Sequence, residues 1–397
     1  MEKVAIVGVG TLPWKSRYQD RTARALAFDA TRKALADAGL AKSDIDGMVY
    51  SIYCDTMLMQ QHPGMMVQDY LGLGGRPSLR VTGGAATGGY NLYAAFTQVA
   101  SGLADVLLLV AVQKGQDFYS FATGSRGDGL QKGFAISFDT MWLTELIAGV
   151  PAFHTLRFRQ PHFNQYGGPT REQVAAFSSM CHHNGAQNPE SQLRVEVTPE
   201  EVMNSRIVAW PTTMLECCLY SDCACALILA SEKRAREICD KPVWISGISV
   251  SSHPSGKLLP DTVGRLIGVN VAAQRAYDMA GVRNPASELD LLEINDLTSA
   301  TGLISLEELG LCELGQSGPL AEDGSLAKEG KHPVNPSGGR VGCGHVAGVS
   351  AIYSAAQVTK QLQERAGPTQ VRIRSGRGLV ESIDGYGGLA GVAVLER

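Results

Sequence analysis

The sequence predicts an α/β protein in which strands and helices alternate along the chain and pack as layers. Three observations lead to this class. Of the 397 residues, 44% are hydrophobic, which is enough to bury a full core. Short apolar runs typical of strands alternate with Ala-rich runs that carry apolar residues at helical spacing. The same order of elements also occurs twice, which indicates two similar halves.

The first half opens with a strand followed by a helix, and this pattern then continues. The first helix is expected to end where Gly39 can adopt a left-handed C-cap. The predicted elements are a strand over 3–9, a helix over Thr22–Ala38, a helix over Gly88–Ala100, and strands over Asp105–Val112 and Ala224–Ala230.

The second half follows a charged helix over Ser231–Cys239. It begins after Pro242, which separates this helix from the next predicted strand. Its predicted strands are Val243–Val250, Leu289–Ile294, Arg372–Ser375 and Gly391–Leu395, and its predicted helices are Val269–Met279 and Gly348–Leu362. No residue-level repeat accompanies this second copy, so the duplication rests on element order alone. We therefore predict two halves, over 1–240 and 241–397.

A segment over about 116–207 fits neither half, because it is aromatic and polar rather than periodically apolar. We predict that this segment is a loop domain inserted in the first half. Insertions of this kind commonly cover an active site.

The charge balance excludes one class of partner. Lys and Arg number 35 against 39 Asp and Glu, giving a net charge of -4, so no basic excess is present to bind a nucleic-acid backbone. The N-terminal residues lack a signal-peptide layout, and no apolar run is long enough to cross a bilayer. The sequence therefore predicts a cytoplasmic protein that binds neither nucleic acid nor membrane.

Nine cysteines in a chain without a secretion signal indicate reduced thiols rather than disulfides. Four of them, Cys217, Cys218, Cys223 and Cys225, lie close together, but their pairs lack the two-residue gap typical of zinc ligands. The stretch from Cys223 to Leu229 has the pattern of a buried strand. We therefore predict small buried thiols here and no metal site.

The most informative segment for function is a glycine-rich turn before an Ala-rich helix. It reads Asn335-Pro336-Ser337-Gly338-Gly339-Arg340-Val341-Gly342-Cys343-Gly344-His345. Placed there, His345 can donate a hydrogen bond to a developing oxyanion or can cap local carbonyls, and the residues alone leave both roles open. The segment resembles the Asn-Pro-x-Gly-Gly … Gly-His-Pro signature of the thiolase superfamily, with Val346 in place of the usual proline.

A second stretch strengthens this resemblance. The run Leu292-Glu293-Ile294-Asn295-Asp296-Leu297-Thr298 is similar to the Asn-Glu-Ala-Phe or His-Asp-Cys-Phe motif of thiolases. The run Glu307-Glu308-Leu309-Gly310 is similar to the Glu-x-Leu-Gly helix of the sterol-carrier-protein, lipid-transfer-like branch. The resemblance implies that Asn295 and His345 together hold a thioester oxygen and that Asp296 lines the substrate site.

A third stretch departs from the family. Thiolases place a nucleophilic cysteine at the N-terminus of a buried helix, where unpaired amides favour the thiolate. The corresponding run here is Val81-Thr82-Gly83-Gly84-Ala85-Ala86-Thr87, in which Ala85 occupies the cysteine position beside Gly84. Alanine cannot form an acyl-enzyme, and no base is evident to activate the nearby threonines.

The second catalytic thiol of thiolases is also missing. Leu297 occupies its position in the sterol-carrier type, and Gly385-Tyr386-Gly387-Gly388 replaces the C-terminal Cys-x-Gly type. Cys343 is the nearest substitute nucleophile, although the sequence favours a packed residue of the turn at this position. Tyr386 is a candidate acid or base, or a wall of the pocket, and Gly387 and Gly388 beside it are expected to line the substrate site.

The resemblance also implies a fold and a set of partners. The family fold has five layers, αβαβα, made from two duplicated halves, and normally forms a homodimer. It acts on acyl-coenzyme A in pathways such as β-oxidation, uses coenzyme A as a substrate and binds no further cofactor. Within the insertion, His154 and Arg159 are candidate contacts for the nucleotide of coenzyme A. Cysteine-less relatives work with a small partner that carries a zinc ribbon and an oligonucleotide-fold domain.

Three functions remain open from the sequence. The first is an acyltransferase that cleaves a 3-oxoacyl-CoA, with Cys343 or the thiol of coenzyme A attacking the ketone. The second is a retro-aldolase acting on a 3-hydroxyacyl-CoA, which needs no covalent thiol, although aldolases of the superfamily carry tyrosines where this chain has Asn295 and His345. The third is a non-catalytic acyl-CoA-binding subunit, which would not require an oxyanion pair.

Overall fold

The computed structural model describes residues 2–58, 60–114, 150–253 and 262–397. The strands of these ranges are β1 (Val4–Thr11), β2 (Gly47–Ser51), β3 (Ser78–Leu79), β4 (Val106–Lys114), β5 (Ile207–Ala209), β6 (Thr212–Thr213), β7 (Asp222–Ser231), β8 (Val243–Ser252), β9 (Leu291–Glu293), β10 (Arg377–Ile383) and β11 (Leu389–Glu396).

The helices of the same ranges are α1 (Ala23–Ala38), α2 (Pro63–Leu71), α3 (Thr87–Ala100), α4 (Val150–His154), α5 (Gln160–Tyr166), α6 (Arg171–Gln187), α7 (Pro199–Asn204), α8 (Glu232–Ile238), α9 (Ile267–Ala280), α10 (Pro285–Glu288), α11 (Ser299–Glu308), α12 (Ser317–Glu322) and α13 (Ser350–Leu362). Two π-helical turns occupy Thr155–Arg159 and Gly339–Cys343.

Nine of the described strands form one sheet in the order β3-β2-β4-β7-β1-β8-β11-β10-β9. Strand β2 runs parallel to β3 and β4, and β9 runs parallel to β10, whereas the other neighbours are antiparallel. The two halves of the sheet meet where β1 pairs with β8, through Ala5 with Trp244 and Ile6 with Val243. Only two residue pairs join β1 to β8. Helices α3 and α13 pack between the two halves of the sheet.

Helices lie outside and between the halves of the sheet. Helix α1 packs on β1, β4 and β7, and α9 packs on β8 and β11. Helix α3 contacts strands of both halves, and so does α13. The resulting layer order is α, β, α, β, α, which confirms the predicted α/β class. The largest described core cluster fills the central layer and joins residues of both halves.

Most predicted elements are confirmed, with ends that agree to within two residues. Helix α1 shows why such ends can be predicted. The Oγ1 of Thr22 accepts the N–H of Ala25 at its start, and Gly39 adopts a left-handed φ of 66° at its end. Strand β2, helix α6 and strand β10 were not predicted.

The strand predicted over Arg372–Ser375 is wrong, because the chain turns there and β10 begins only at Arg377. The carboxylate of Asp290 accepts the N–H groups of Ser375 at 3.0 Å and of Gly376 at 2.8 Å. Gly376 also has a φ of 77°, which a strand does not accommodate. A side chain from a distant part of the sequence therefore sets this boundary.

The segment predicted to be an inserted loop domain is described from residue 150 onward. It contains α4 to α7, and the hairpin of β5 and β6 follows at its end. Within it, α6 packs against α11, α12 and the π-helical turn over Gly339–Cys343. Residues 115–149 of the predicted insertion lie outside the described residues. The insertion thus contacts the glycine-rich turn that precedes His345.

The structure also bears on the predictions about membrane spans and buried cysteines. Among the described residues, no helix is both long enough and apolar enough to cross a membrane. Cys223 and Cys225 lie in β7, which is buried along its whole length, so the predicted buried strand is confirmed. Burial raises the pKa of both thiols above the usual range, as expected for packed small residues.

Candidate active site

The glycine-rich turn is held in place by buried polar contacts. Asn335 has a φ of 48°, and its Oδ1 accepts the N–H of Ile294 at 2.8 Å. Gly339 has a φ of 63°, and a Cβ added to it would lie within 2.7 Å of the Asp296 carboxylate. That carboxylate in turn accepts the N–H of Arg340 at 2.6 Å. Only glycine fits at residue 339, and the motif fixes the path of the chain toward His345.

Asp296 was predicted to line the substrate site, but the structure assigns it an internal contact. Its side chain is fully buried, and both oxygens face the backbone N–H groups of the glycine-rich turn. Burial raises its pKa from 3.8 to about 6, although the N–H donors and the Arg340 guanidinium oppose this shift. Asp296 therefore supports the glycine-rich turn through both of its carboxylate oxygens.

His345 is buried, with 2% of its surface exposed, and its ring orientation is defined. Its Nδ1 lies 2.9 Å from the Oγ of Ser350, the first residue of α13. Burial, and then the nearby guanidinium of Arg340, lower the pKa of His345 from 6.5 to about 3. The imidazole is therefore neutral at physiological pH. Because Ser350 engages Nδ1, Nε2 is the ring nitrogen available to a ligand.

Asn295 lies just after β9 and is also buried. Its backbone N–H donates to Glu381 at 2.7 Å, and its Nδ2 donates to the carbonyl of Ile383 at 3.0 Å. Among the described residues, its Oδ1 has no hydrogen-bond partner. A buried amide with unused hydrogen-bonding capacity is costly unless a ligand or water completes it. The unpaired Oδ1 can accept a hydrogen bond from a ligand or water, whereas donation to an oxyanion would use the second Nδ2–H of Asn295.

One extended segment, from Cys217 to Tyr220, links the surroundings of these two residues. The N–H of Cys218 donates to the carbonyl of Leu297 at 3.0 Å, two residues after Asn295. The N–H of His345 donates to the carbonyl of Leu219 at 2.7 Å. The structure thus brings both predicted oxyanion residues to the same extended segment.

Ala85 lies two residues before the first residue of α3, next to the N-cap Ala86 and close to the end of the helix that favours a negative charge. It packs against a cluster formed by Tyr53, Met57 and Ala347. Because Ala347 is two residues from His345, the position of the missing thiol adjoins the glycine-rich turn. The hydroxyl of Thr87 donates to the carbonyl of Gly84 and accepts the N–H of Gly83, so it serves the local turn.

The loop over residues 384–388 approaches the same place from β10. A Cβ added to Gly84 would lie 3.1 Å from the Cβ of Asp384, which puts this loop beside Ala85. The Asp384 carboxylate accepts the N–H of Gly388 at 2.8 Å. Next to it, Gly387 has a φ of 69° and packs closely on Phe158. Gly84, Gly387 and Gly388, which were predicted to line the substrate site, therefore lie close together beside Ala85.

Tyr386 belongs to this loop and packs edge-on against Phe153, with ring centroids 5.2 Å apart. Burial raises the pKa of its phenol, and the neighbouring Tyr53 and Asp384 raise it further. The phenol is therefore protonated at neutral pH, so it is suited to donating a hydrogen bond rather than to accepting a proton.

Cys343 is fully buried in the central core. Its Sγ lies 3.5 Å from the Nδ2 of Asn188 and 3.8 Å from the hydroxyl of Tyr353. Burial raises the pKa of the thiol from 9.0 to about 12, although the Arg340 guanidinium opposes this shift. A buried thiol with a raised pKa is a poor nucleophile. These contacts favour the packed-turn interpretation of Cys343.

His154 and Arg159 were predicted to contact the nucleotide of coenzyme A, and their positions argue against this role. The Nε2 of His154 lies 2.9 Å from the carbonyl of Gly385, and burial lowers its pKa from 6.5 to about 4. Arg159 forms a buried ion pair with Glu216 at 2.6 Å and a hydrogen bond to Thr212 at 2.9 Å. Both side chains satisfy internal partners, so they support the fold of the insertion.

Two neighbours of His345 were not predicted from the sequence. Ser350 orients the imidazole. The sequence feature that could have pointed to it is a hydroxyl in the first turn of an otherwise Ala-rich helix. Tyr220 packs edge-on against the imidazole, with ring centroids 5.8 Å apart. The sequence offered little to identify Tyr220, because only the fold brings residue 220 next to residue 345.

Comparison with known proteins gives a consistent result. Residues 250–397 match the family described as "Thiolase C-terminal domain-like". The chain is 34% identical to the acetyl-CoA acetyltransferase of Methanothermobacter thermautotrophicus over 401 residues, covering 100% of both proteins. It is 31% identical to sterol carrier protein 2 of Bos taurus over 378 residues, covering 93% of this chain and 68% of that protein.

A solved structure shows the same fold over nearly the whole chain. The Ltp2-ChsH2(DUF35) aldolase superposes with a TM-score of 0.83 at 23% sequence identity. The superposition covers 99% of this chain and 97% of the other. The layered architecture is therefore shared along the entire length, including both halves.

Proposed function

Because the chain belongs to the thiolase superfamily, in its sterol-carrier-protein-like branch, we propose that it makes or breaks the C2–C3 bond of a 3-oxoacyl-CoA without a covalent acyl-enzyme. The chain is a thiolase-like acyl-CoA enzyme. The non-catalytic binding subunit is therefore not retained as a function. The observation that carries our proposal is the buried His345 two residues from Ala347, whose cluster packs against an alanine, Ala85, at the position of the family's nucleophile.

In this proposal the thiolate of coenzyme A attacks the C3 ketone directly. As the C2–C3 bond breaks, its electron pair moves onto the thioester oxygen of the leaving acyl-CoA. The Nε2–H of His345 and the second Nδ2–H of Asn295 donate hydrogen bonds to that oxygen, since the first Nδ2–H donates to the carbonyl of Ile383. The Ser350 hydroxyl lies 2.9 Å from Nδ1 and 3.1 Å from the carbonyl of Val346, and it supports this tautomer when it donates to Nδ1 rather than to that carbonyl.

Neutral donors suit this role better than a charged one. A buried imidazolium would bind any anion strongly, including the substrate phosphates, whereas a neutral donor responds mainly to charge that develops on the oxygen. The low pKa of His345 keeps the ring neutral over the range in which the enzyme operates. Cys343 has no part in this proposal, because its thiol is enclosed by Asn188 and Tyr353.

The first experiment is to incubate the purified protein with coenzyme A and a series of 3-oxoacyl-CoA thioesters, and to identify the acyl-CoA products by mass spectrometry. We expect His345→Ala and Asn295→Ala to lower kcat/KM by about 10²- to 10³-fold. His183→Ala is the matched control, because His183 is exposed on α6 and should have no effect. Failure of the wild-type protein to cleave any member of the series would contradict the proposal.

A second candidate function is a retro-aldol cleavage of a 3-hydroxyacyl-CoA, which releases an aldehyde or ketone. Two observations favour it: Ala85 cannot form an acyl-enzyme, and a protein named as an aldolase shares the fold with a TM-score of 0.83. The assay is to supply 3-hydroxyacyl-CoA without coenzyme A. Release of a carbonyl compound would favour this reaction over thiolysis.

We also propose a homodimer and a small partner subunit that carries a zinc ribbon and an oligonucleotide-fold domain. The dimer is supported by β3, an exposed edge strand of the described sheet. The partner is supported by the name of the Ltp2-ChsH2(DUF35) aldolase, which pairs two components. Coenzyme A is the expected second substrate. Light scattering of the purified chain, alone and after co-expression with such a partner, tests both proposals.

A further inference from the structure

Tyr220 is held against His345 by main-chain pairing. Residues 220 and 345 form a parallel bridge, in which the N–H of His345 donates to Leu219 at 2.7 Å and the N–H of Ser221 donates to His345 at 3.0 Å. Paired residues of adjacent extended segments project to the same side. The two rings accordingly meet edge to face, with centroids 5.8 Å apart and planes at 81°.

Two further phenols lie near Tyr220. Tyr53 belongs to the cluster that packs against Ala85, and Tyr386 belongs to the loop beside Gly84. Burial raises the pKa of Tyr220, and Tyr53 and Tyr386 are close enough to raise it further. Three phenols therefore surround the place where the family uses thiols. Among them, Tyr220 is the one in ring contact with His345.

We propose that Tyr220 carries the proton to and from C2 of the acyl-CoA, and so replaces the acid/base thiol that this chain lacks. This inference rests on the proposed function and deepens it. It assigns a catalytic role to a residue that neither the sequence motifs nor the family signature singles out.

The proton balance of the cleavage is complete with Tyr220 alone. When the C2–C3 bond breaks, the electron pair left on the enolate takes the phenolic proton of Tyr220, so a C2–H bond forms. The phenolate then takes the proton of the coenzyme A thiol, which releases the thiolate that attacks C3 of the next substrate. One proton thus moves from sulfur to carbon, and nothing is oxidised or reduced.

The acidity of this phenol suits both steps. A free thiol has a pKa of about 8.5 and an unperturbed phenol about 10, so proton transfer from thiol to phenolate is downhill. Burial of Tyr220 increases this difference, because it raises the pKa of the phenol further. Tyr220 would play the same role in a retro-aldol cleavage. There the C3 hydroxyl, in place of the thiol of coenzyme A, would supply the proton that the phenolate takes up.

Exchange of C2 hydrogens with solvent tests the inference separately from C–C cleavage. Wild-type protein is incubated with acetyl-CoA or propanoyl-CoA in heavy water at several pH values up to about 10, and deuterium at C2 is measured by mass spectrometry. Exchange without cleavage needs the phenolate of Tyr220 as the base, so its rate should rise with pH. We expect Tyr220→Phe, which keeps the ring contact with His345, to slow this exchange by about 10²- to 10⁴-fold. Binding of coenzyme A, measured by calorimetry, should be unchanged.

Tyr277→Phe is the matched control, because it removes a buried phenolic hydroxyl from α9, where it donates to the carbonyl of Leu309 at 2.8 Å. We expect this variant to exchange at the wild-type rate. Exchange by Tyr220→Phe within threefold of wild type would overturn the inference while leaving thiolysis intact. Absence of exchange in the wild-type protein would overturn it as well. If the wild-type protein exchanges C2 hydrogens but cleaves no 3-oxoacyl-CoA, thiolysis fails and the role of Tyr220 is retained.

Discussion

Ala85 is the residue at which this chain departs furthest from the chemistry of its family. It lies at the start of α3, in a cluster that includes Ala347, so its surroundings remain those of a reactive position. Unpaired N–H groups and the helix dipole at this end favour a negative charge. The replacement of the nucleophile by Ala85 comes together with the loss of the second thiol at Leu297.

Restoring the thiol should restore reactivity at this position. We predict that the Ala85→Cys variant is alkylated by iodoacetamide at residue 85 at least tenfold faster than at the other cysteines of the native protein, and that it is acylated there by acetyl-CoA. Peptide mapping by mass spectrometry measures both modifications, with the wild-type protein as the control. An unreactive thiol at residue 85 of the folded variant would show that the helix end no longer activates a nucleophile.

In contrast to a cysteine at residue 85, Cys343 is predicted to be unreactive, because its thiol faces the core and has a raised pKa. We expect Cys343→Ala to retain kcat/KM within about threefold and to lose about 1 kcal/mol of unfolding free energy through lost packing. Steady-state kinetics and denaturant titration measure the two effects. A loss of activity beyond a hundredfold in a stably folded variant would identify Cys343 as a nucleophile after all.

The sequence predicted the roles of residues that lie in local motifs, but not those of residues whose partners are distant in the chain. His345 and Asn295 lie in local motifs whose glycines and turns can be read along the chain. His154 and Arg159 were predicted to contact the nucleotide of coenzyme A, with solvated loop residues as the alternative, but Gly385 and Glu216 are their partners inside the protein. Such partners are distant in sequence, so burial of this kind is visible only in the fold.

At the scale of the elements, β9 and β10 carry two buried glutamates that support the site. Glu293 accepts hydrogen bonds from Ser337 in the glycine-rich turn, and Glu381 accepts the N–H of Asn295. Burial raises the pKa of each from 4.5 to about 7. These two strands therefore hold Asn295 and the glycine-rich turn before His345 through carboxyl groups whose pKa is raised to about 7.

This arrangement makes stability depend on pH. Because the folded state raises the pKa of both carboxyl groups, it holds more protons than the unfolded state between about pH 4.5 and pH 7. The unfolding free energy should therefore fall as pH rises through this range, by up to about 1.4 kcal/mol per unit for each group, and level off above it.

Thermal unfolding between pH 5 and 8 measures the effect. We expect the melting temperature to decrease by several degrees as pH rises through this range, and Glu293→Gln or Glu381→Gln to reduce the slope. Glu237→Gln, at an exposed position of α8, is the control and should leave the slope unchanged. A melting temperature that rises steadily with pH would contradict raised pKa values for these carboxyl groups.

The elements also show where sequence patterns fail. Apolar periodicity predicted the long strands and the central helices to within two residues. It placed a strand over Arg372–Ser375, where Asp290 binds the backbone and turns the chain, and it missed β10 directly beyond this turn. The position of a strand that depends on a distant carboxylate is not encoded in local hydrophobicity.

At the scale of the whole molecule, the five layers follow from the repeated order of elements. The sequence indicated two halves, and the described sheet joins them only through the short pairing of β1 with β8. We propose the division into 1–240 and 241–397, with the insertion over about 116–207, as the units of the fold. The candidate site draws on both halves, since Ala85 belongs to the first, and Asn295 and His345 belong to the second.

The central claim is that this protein cleaves an acyl-CoA without an acyl-enzyme intermediate. The most direct measurement is intact-protein mass spectrometry during turnover, with 3-oxoacyl-CoA and coenzyme A present and the reaction quenched within milliseconds to seconds. The account predicts cleavage products together with protein of unmodified mass at every time. An acyl adduct on any cysteine that forms and decays at the rate of turnover would contradict it.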